Sequence, residues 1–311
     1  MSLPLSWSRR FEIDKKREVI IEEIPDGSLK IIPGSIERVE EEVKIPVKKE
    51  MTVDEIYYKI LREYLQGVKK IIVIGDLTDI QMDFIQIIHR RIVGLEVTEQ
   101  KKDLIVLMDL LKPEDVDLDK IINQMFSFII AMANDIISHI EEGKSPGDKI
   151  LDRDSVTTRN HNLAYRCCNM ALKDSIYLGK LKKTVWEIIV LSRIIRYLDM
   201  IGTILVGISY MINTELTEGM KKYHYKVYEK NEKIYKALEK YLKKWLVYFK
   251  ASKRVIREKD VKRATELYLR RFEFRLETIK SIEGEHIINI INLAEQLNRM
   301  SDLIVRDFLM I

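Results

Sequence analysis

The sequence predicts a mainly α protein: two tandem three-helix bundles, preceded by a small β module and a small α+β domain. Three observations predict it. All six prolines fall at or before Pro146, so nothing in the second half forbids long helices. Six stretches with helical periodicity come after Pro113. The third and sixth of these echo each other: RYLDMIGTILVGISYMI from Arg196 lies over EQLNRMSDLIVRDFLMI from Glu295 at an offset of 99. Leu198 falls on Leu297, Asp199 on Asn298, Thr203 on Asp302 and Val206 on Val305. Two long helices that match in this way mark a duplicated unit of about 100 residues.

Residues 1–34 form the β module. Glu18 to Ile24 alternates loosely, Asp26-Gly27 is a strong two-residue hairpin signal, and Ser28 to Ile32 runs back until Pro33 stops it. Ahead of the hairpin, SLPLSWSRRFEI has room for one or two helical turns. A unit this small makes no core alone. It must pair with a second copy or pack on the next domain.

Residues 35–112 form the α+β domain. Its charged entry, broken by Pro46, reads as a linker with one short extended piece. Thr52 with Glu55 then makes a capping-box pair that opens an amphipathic helix to Gln66. Lys70 to Ile74 is a β-branched apolar run, and a second helix spans Thr78 to Val93 before Gly94. Leu95–Thr98 and Leu104–Met108 make a final hairpin across Glu99 to Asp103. The order αβαββ implies a sandwich with its helices on one face of a sheet.

The bundles occupy residues 113–213 and 214–311. Helices are expected over Asp117–Glu142, Lys149–Leu178, Lys183–Ile212, Glu215–Lys250, Arg257–Ser281 and Glu285–Leu309. The fourth is the clearest, since Met220, Tyr223, Val227, Ile234, Leu238, Tyr241, Trp245 and Tyr248 recur at steps of three, four or seven. That stripe is a bundle seam.

Composition narrows the function classes. The net charge of +4 is too small to make the whole chain a nucleic-acid binder. Adjacent Cys167 and Cys168 point to different faces of a helix, which disfavours a disulfide or a zinc site. Arg9 and Arg10 come too early for the apolar part of a signal peptide, and the apolar run Met200–Ile212 is too short to cross a bilayer. The expected setting is cytoplasmic, with no transmembrane segment. The glycines make no phosphate loop, the five histidines are scattered, and no nucleophile has a base and an orienter beside it. These features predict a protein that is not an enzyme.

Two polar stripes carry the remaining chemistry. On the third long helix Arg196, Asp199 and Thr203 come after Ser192, and on the sixth Glu295, Asn298, Arg299 and Asp302 match them. Carboxylates four apart on a helix hold a hard cation between them, and a bundle interior suits such a site. Each stripe keeps one half of such a pair. The candidate metal contacts are therefore Asp199, Asp302 and Glu295, joined by Asp154 on the second helix.

In these residues the chain resembles the PhoU proteins that regulate phosphate uptake. RYLDMIGT and EQLNRMSD are similar to two worn copies of that family's R-x-L-E-R-I-G-D phrase, and RDSVTTRNHNLAYR from Arg153 is similar to its second helix. The front of the chain resembles an archaeal branch of the family that opens with an AbrB/SpoVT-like swapped hairpin. SLPLSW, DGSLKIIP, GLEVTE, IVLMDLLKPEDVDLDK and MFSFIIAM follow that branch in order. The resemblance implies a helical-bundle regulator of phosphate uptake that forms a homodimer. Its implied partners are a transporter ATPase or a sensor protein, and DNA through the β module. It also implies a divalent or iron ion in the bundle, although Thr158, Thr203 and Asn298 stand where the family has acids.

DNA contacts, if the module makes them, fall to Arg9, Arg10, Lys15, Lys16 and Arg17. Residues 1–33 balance six Lys/Arg against six Asp/Glu, and the family's strand ahead of the SLP phrase is not seen. The module is therefore expected to be truncated or vestigial for DNA. The alternative reading is an AbrB-type DNA-binding regulator of another regulon, with the bundle as a sensing or dimerisation body. Twenty Lys/Arg against eleven Asp/Glu between Glu215 and Glu283 suggest a solvated exterior. They also fit an acidic partner or nucleic acid touched by Lys221, Lys222, Arg254, Arg257, Lys262, Arg263, Arg270 and Arg271.

Overall fold

The computed structural model describes residues 3–16, 18–23, 27–33, 42–77, 81–112, 115–142, 148–212, 232–271 and 288–311. The chain divides into two compact units, Met1–Glu42 and Val43–Ile311. The first holds helices α1 (Leu5–Arg10) and α2 (Ile13–Lys16) and the strands β1 (Val19–Glu23) and β2 (Leu29–Pro33). The strands pair antiparallel from Val19 opposite Pro33 to Glu23 opposite Leu29, the hairpin expected from the Gly27 signal; Asp26 lies outside the described residues. Helix α1 buries none of its residues, and Ile20, Ile21 and Leu29 are exposed.

The second unit begins with a four-stranded sheet ordered β3-β4-β6-β5. These are β3 (Glu42–Pro46), β4 (Lys70–Ile74), β5 (Leu95–Lys101) and β6 (Leu104–Asp109). The expected linker thus contributes an edge strand, with Val47 N–H donating to the Ile74 carbonyl at 2.8 Å. Strand β5 runs three residues further than expected, because a bulge between Val97 and Glu99 keeps Glu99 to Lys101 in register with β6. Helices α3 (Val53–Gln66) and α4 (Gln81–Arg91) share one core with the sheet, through Ile56, Ile60, Phe84 and Ile88 against Ile71, Val73, Ile105 and Leu107. The Thr52–Glu55 capping box is present: Glu55 N–H donates to Thr52 Oγ1 at 3.3 Å and Thr52 N–H to Glu55 Oε2 at 2.7 Å. Gly67 ends α3 with φ of +93°, a left-handed cap that glycine adopts without strain.

The rest is mainly helical: α5 (Leu118–Glu142), α6 (Lys149–Lys173), α7 (Ser175–Lys180), α8 (Val185–Ile212), α9 (Glu232–Glu258), α10 (Val261–Leu269) and a last helix, α11 (Ile288–Phe308). The expected single helix from Lys149 to Leu178 is broken at Asp174. That residue sits in extended backbone, and its carboxylate accepts the Ile176 and Tyr177 N–H groups to start α7. The fourth helix does not stop at Lys250 but continues to Glu258. The turn comes at Lys259, φ +53°, where Asp260 caps α10 by accepting from Arg263 N–H. Met220, Tyr223 and Val227 lie outside the described residues, whereas Leu238, Tyr241, Trp245 and Tyr248 are buried as the seam requires. One continuous core joins α5, α6 and α8 to α9, α10 and α11, with α8 packed along α11 and α5 along α9. Among the described residues one helix, α5, is long and apolar enough to cross a membrane. Its Met125, Phe126, Ile129, Met132 and Ile136 are wholly inside that core.

Candidate functional site

Helix α6 has two working faces. Cys167 and Cys168, expected on different faces, both turn with Ala164 and Ala171 into the helical core as free thiols, where burial raises both, Cys168 to about 12. A polar row at Asn162, Arg166, Asn169 and Lys173, spaced at i, i+4, i+7 and i+11, turns instead to the α+β layer. The last carbonyls of any α-helix lack partners within it. Here Arg166 donates to Tyr64 O, Asn169 to Leu65 O at 3.0 Å and Lys173 to Gln66 O at 3.1 Å, so α6 closes the end of α3. Asn162 donates to Arg91 O at 2.9 Å and binds the end of α4 in the same way.

One turn before Asn162 the same helix meets α8. Thr158 donates to Asp199 Oδ1 at 3.2 Å, and Asp154, four residues earlier on α6, faces Gly202, three residues later on α8. A Cβ at Gly202 would stand 3.0 Å from Asp154 Oδ1. The missing side chain is what lets the two helices bring two carboxylates together. Asp154 Oδ1 is sealed from solvent with no hydrogen-bond partner among the described residues. Its carboxyl is pushed up to about 7, first by burial and then by the charge of Asp199, with Arg91 opposing. The Arg91 guanidinium lies 5.3 Å over the Tyr57 ring, at the end of α4.

Of the residues singled out in the sequence, the structure brings together Asp154 and Asp199. Thr203 does not join them: its hydroxyl donates back to the Asp199 carbonyl at 3.3 Å. Asp302 on α11 accepts from Tyr248 at 3.0 Å, and Glu295 is half-buried two turns earlier. Asn298 between them is 2% exposed and takes the Tyr241 hydroxyl at 3.4 Å, whereas Arg299 of the same stripe is exposed. His161 stacks on Tyr165 beside Asn162. In the first unit, Arg9 and Arg10 are exposed at the end of α1, and exposed Lys15 pairs with Glu12. Lys16 closes α2; Arg17, like Lys221 and Lys222, lies outside the described residues.

Among the described residues, no group of three or more His, Cys, Asp or Glu side chains converges on one point. Two carboxylates and a threonine hydroxyl make an incomplete shell, and Arg91 adds a competing positive charge. A multinuclear cluster does not fit these residues. At most a single cation would find two carboxylates here, Asp154 and Asp199. Sequence reading missed Arg91 and Gly202. The one available signal was a glycine in the middle of an apolar helix, which marks close approach of another element.

No protein-family model matches the chain, and neither a curated protein nor a solved structure is detectably similar to it.

Proposed function

We propose that this chain is a cytoplasmic, non-catalytic regulator of phosphate uptake of the PhoU type, working by contact with a transporter ATPase or a sensor protein. The observation that carries the reading is the echo between α8 and α11. The two helices that repeat in sequence pack along each other in one core, the relation expected of a duplicated bundle. The ordered phrases at the front of the chain, from SLPLSW to MFSFIIAM, support the same family branch. Within this reading Asp154 and Asp199 hold a single divalent ion, and the protein works as a homodimer. Deleting the gene and following labelled phosphate uptake tests it. Uptake that stays high in phosphate-replete cells is the expected result, and uptake regulated as in the parent strain rejects it.

A second reading makes the chain a DNA-binding regulator of the AbrB type serving another regulon. It is favoured by the exposed Arg9 and Arg10 in a unit compact by itself. A gel-shift titration decides it, since no salt-dependent DNA binding at micromolar protein removes this reading.

A further inference from the structure

Helix α9 presents a straight row of cations to solvent. Lys236, Lys240, Lys243, Lys250, Arg254 and Arg257 are all exposed and recur at alternating steps of four and three, the one gap in the row being filled by Val247. That valine is 70% exposed. At 1.5 Å rise per residue the row is about 32 Å long. The opposite side of the helix supplies Leu238, Tyr241, Leu242, Trp245 and Phe249 to the core. Between residues 232 and 271 fourteen Lys/Arg face five Asp/Glu, an excess of nine in a chain whose whole net charge is +4. The charge is therefore concentrated in this segment, and six of its fourteen cations make up the row.

Three ligand classes recognise such a row, and the geometry separates them. An anionic membrane binds a basic helix that also carries a broad apolar face for the acyl boundary; here that face is already in the core. A nucleic acid presents uniform charge and exposed bases. The ridge has no aromatic side chain, and carboxylates stand within it: Lys243 is held by Glu239 and Glu141, and Arg254 and Arg257 by Glu258. Another helix, with carboxylates at steps of three and four, matches the spacing of the row, and local pairs of this sort can be exchanged for pairs across a helix–helix contact. The Lys243–Glu141 pair at 2.5 Å is already a contact of this kind, since Glu141 comes from α5.

We propose that the α9 ridge docks an acidic amphipathic helix of a partner protein, its carboxylates on the cations and an apolar side chain on Val247. The inference goes beyond the phosphate reading and stands without it. It is tested with the full chain and a fluorescent peptide of about 21 residues, the length of the ridge. The peptide is alanine-based, with Glu at alternating steps of four and three and a central Leu. The expected result is binding that weakens with salt and falls by about tenfold or more for a scrambled peptide of the same composition. Lys240→Glu with Lys250→Glu weakens binding by about tenfold, and a peptide carrying Lys at the facing positions restores it. Both sites are exposed, and circular dichroism checks that the helix content is kept. Absence of peptide binding, equal binding of the scrambled peptide, unchanged affinity of the charge-reversed protein, or tighter binding of duplex DNA or phosphatidylserine vesicles overturns the proposal.

Discussion

Arg166, two turns from the end of α6, donates to the carboxylate of Asp109 at the end of β6, and the two side chains are 3% and 1% exposed. Lys69 adds a second cation at 3.3 Å from the same carboxylate, and the Arg166 guanidinium lies 4.5 Å from the Tyr64 ring centre. A buried ion pair carries a desolvation cost that only its partner and its hydrogen bonds offset. Removing one member leaves the other charged in a dry site. Asp109→Ala is expected to lower stability by about 3–5 kcal/mol. Lys69→Ala, at a side chain one-third exposed, is expected to cost about 1 kcal/mol or less. Urea midpoints of the two variants check the order, and equal losses contradict it.

Local signals are readable in the sequence because they depend on neighbours in the chain. The Thr52–Glu55 box needs only a three-residue spacing, and the Leu238–Tyr241–Trp245–Tyr248 seam needs only a helical period. The Arg166–Asp109 pair joins residues 57 apart in sequence, one in the sheet and one in the helical layer of the same compact unit. No spacing rule relates them. Strand β3 reads as one short extended piece of a charged linker, and its place at the sheet edge becomes visible only when β4 is there to pair with it. Asp199 and Asp154 each stand out in the sequence, but their meeting depends on Gly202, whose role is the absence of a side chain.

Gly202→Ala tests that role. Alanine in mid-helix gains up to about 1 kcal/mol in helix propensity over glycine. Its Cβ, however, would press on Asp154 Oδ1 at 3.0 Å and crowd a carboxylate that has no partner. The substitution is expected to be neutral or destabilising in the native chain. In an Asp154→Ala background it is expected to stabilise by about 0.5–1 kcal/mol. A double-mutant cycle measured by thermal unfolding reads the coupling directly, and additive effects sink the idea.

Asp154 also predicts a pH dependence in metal-free protein. Its carboxyl titrates near 7 when folded and near its ordinary 3.8 when unfolded, so between those values the folded state binds more protons. The stabilisation is fully present below pH 3.8 and is lost as pH rises through about 7. Asp154→Asn removes that slope, at most about 1.4 kcal/mol per pH unit for one proton. The variant should gain on the native chain as pH rises toward 7 and hold a constant lead above it. Parallel stability curves across this range would remove Asp154 as the titrating group.

The α9–α11 seam supplies the last test. The indole N–H of Trp245, wholly buried on α9, donates to Ser301 Oγ at 3.0 Å on α11, and that hydroxyl donates onward to the Leu297 carbonyl at 2.8 Å. Ser301→Ala takes the acceptor from a buried donor, at a cost of about 1–3 kcal/mol. In a Trp245→Phe background no donor remains to be orphaned, because the Leu297 carbonyl keeps its place in the helix ladder. There the same substitution should cost less than about 1 kcal/mol, since only the intrahelical hydroxyl contact is lost. Urea unfolding of the four proteins gives the difference. If Ser301→Ala costs the same in both backgrounds, the hydrogen bond contributes nothing to holding the echoed helix α11 on α9, and shape complementarity of the apolar seam suffices.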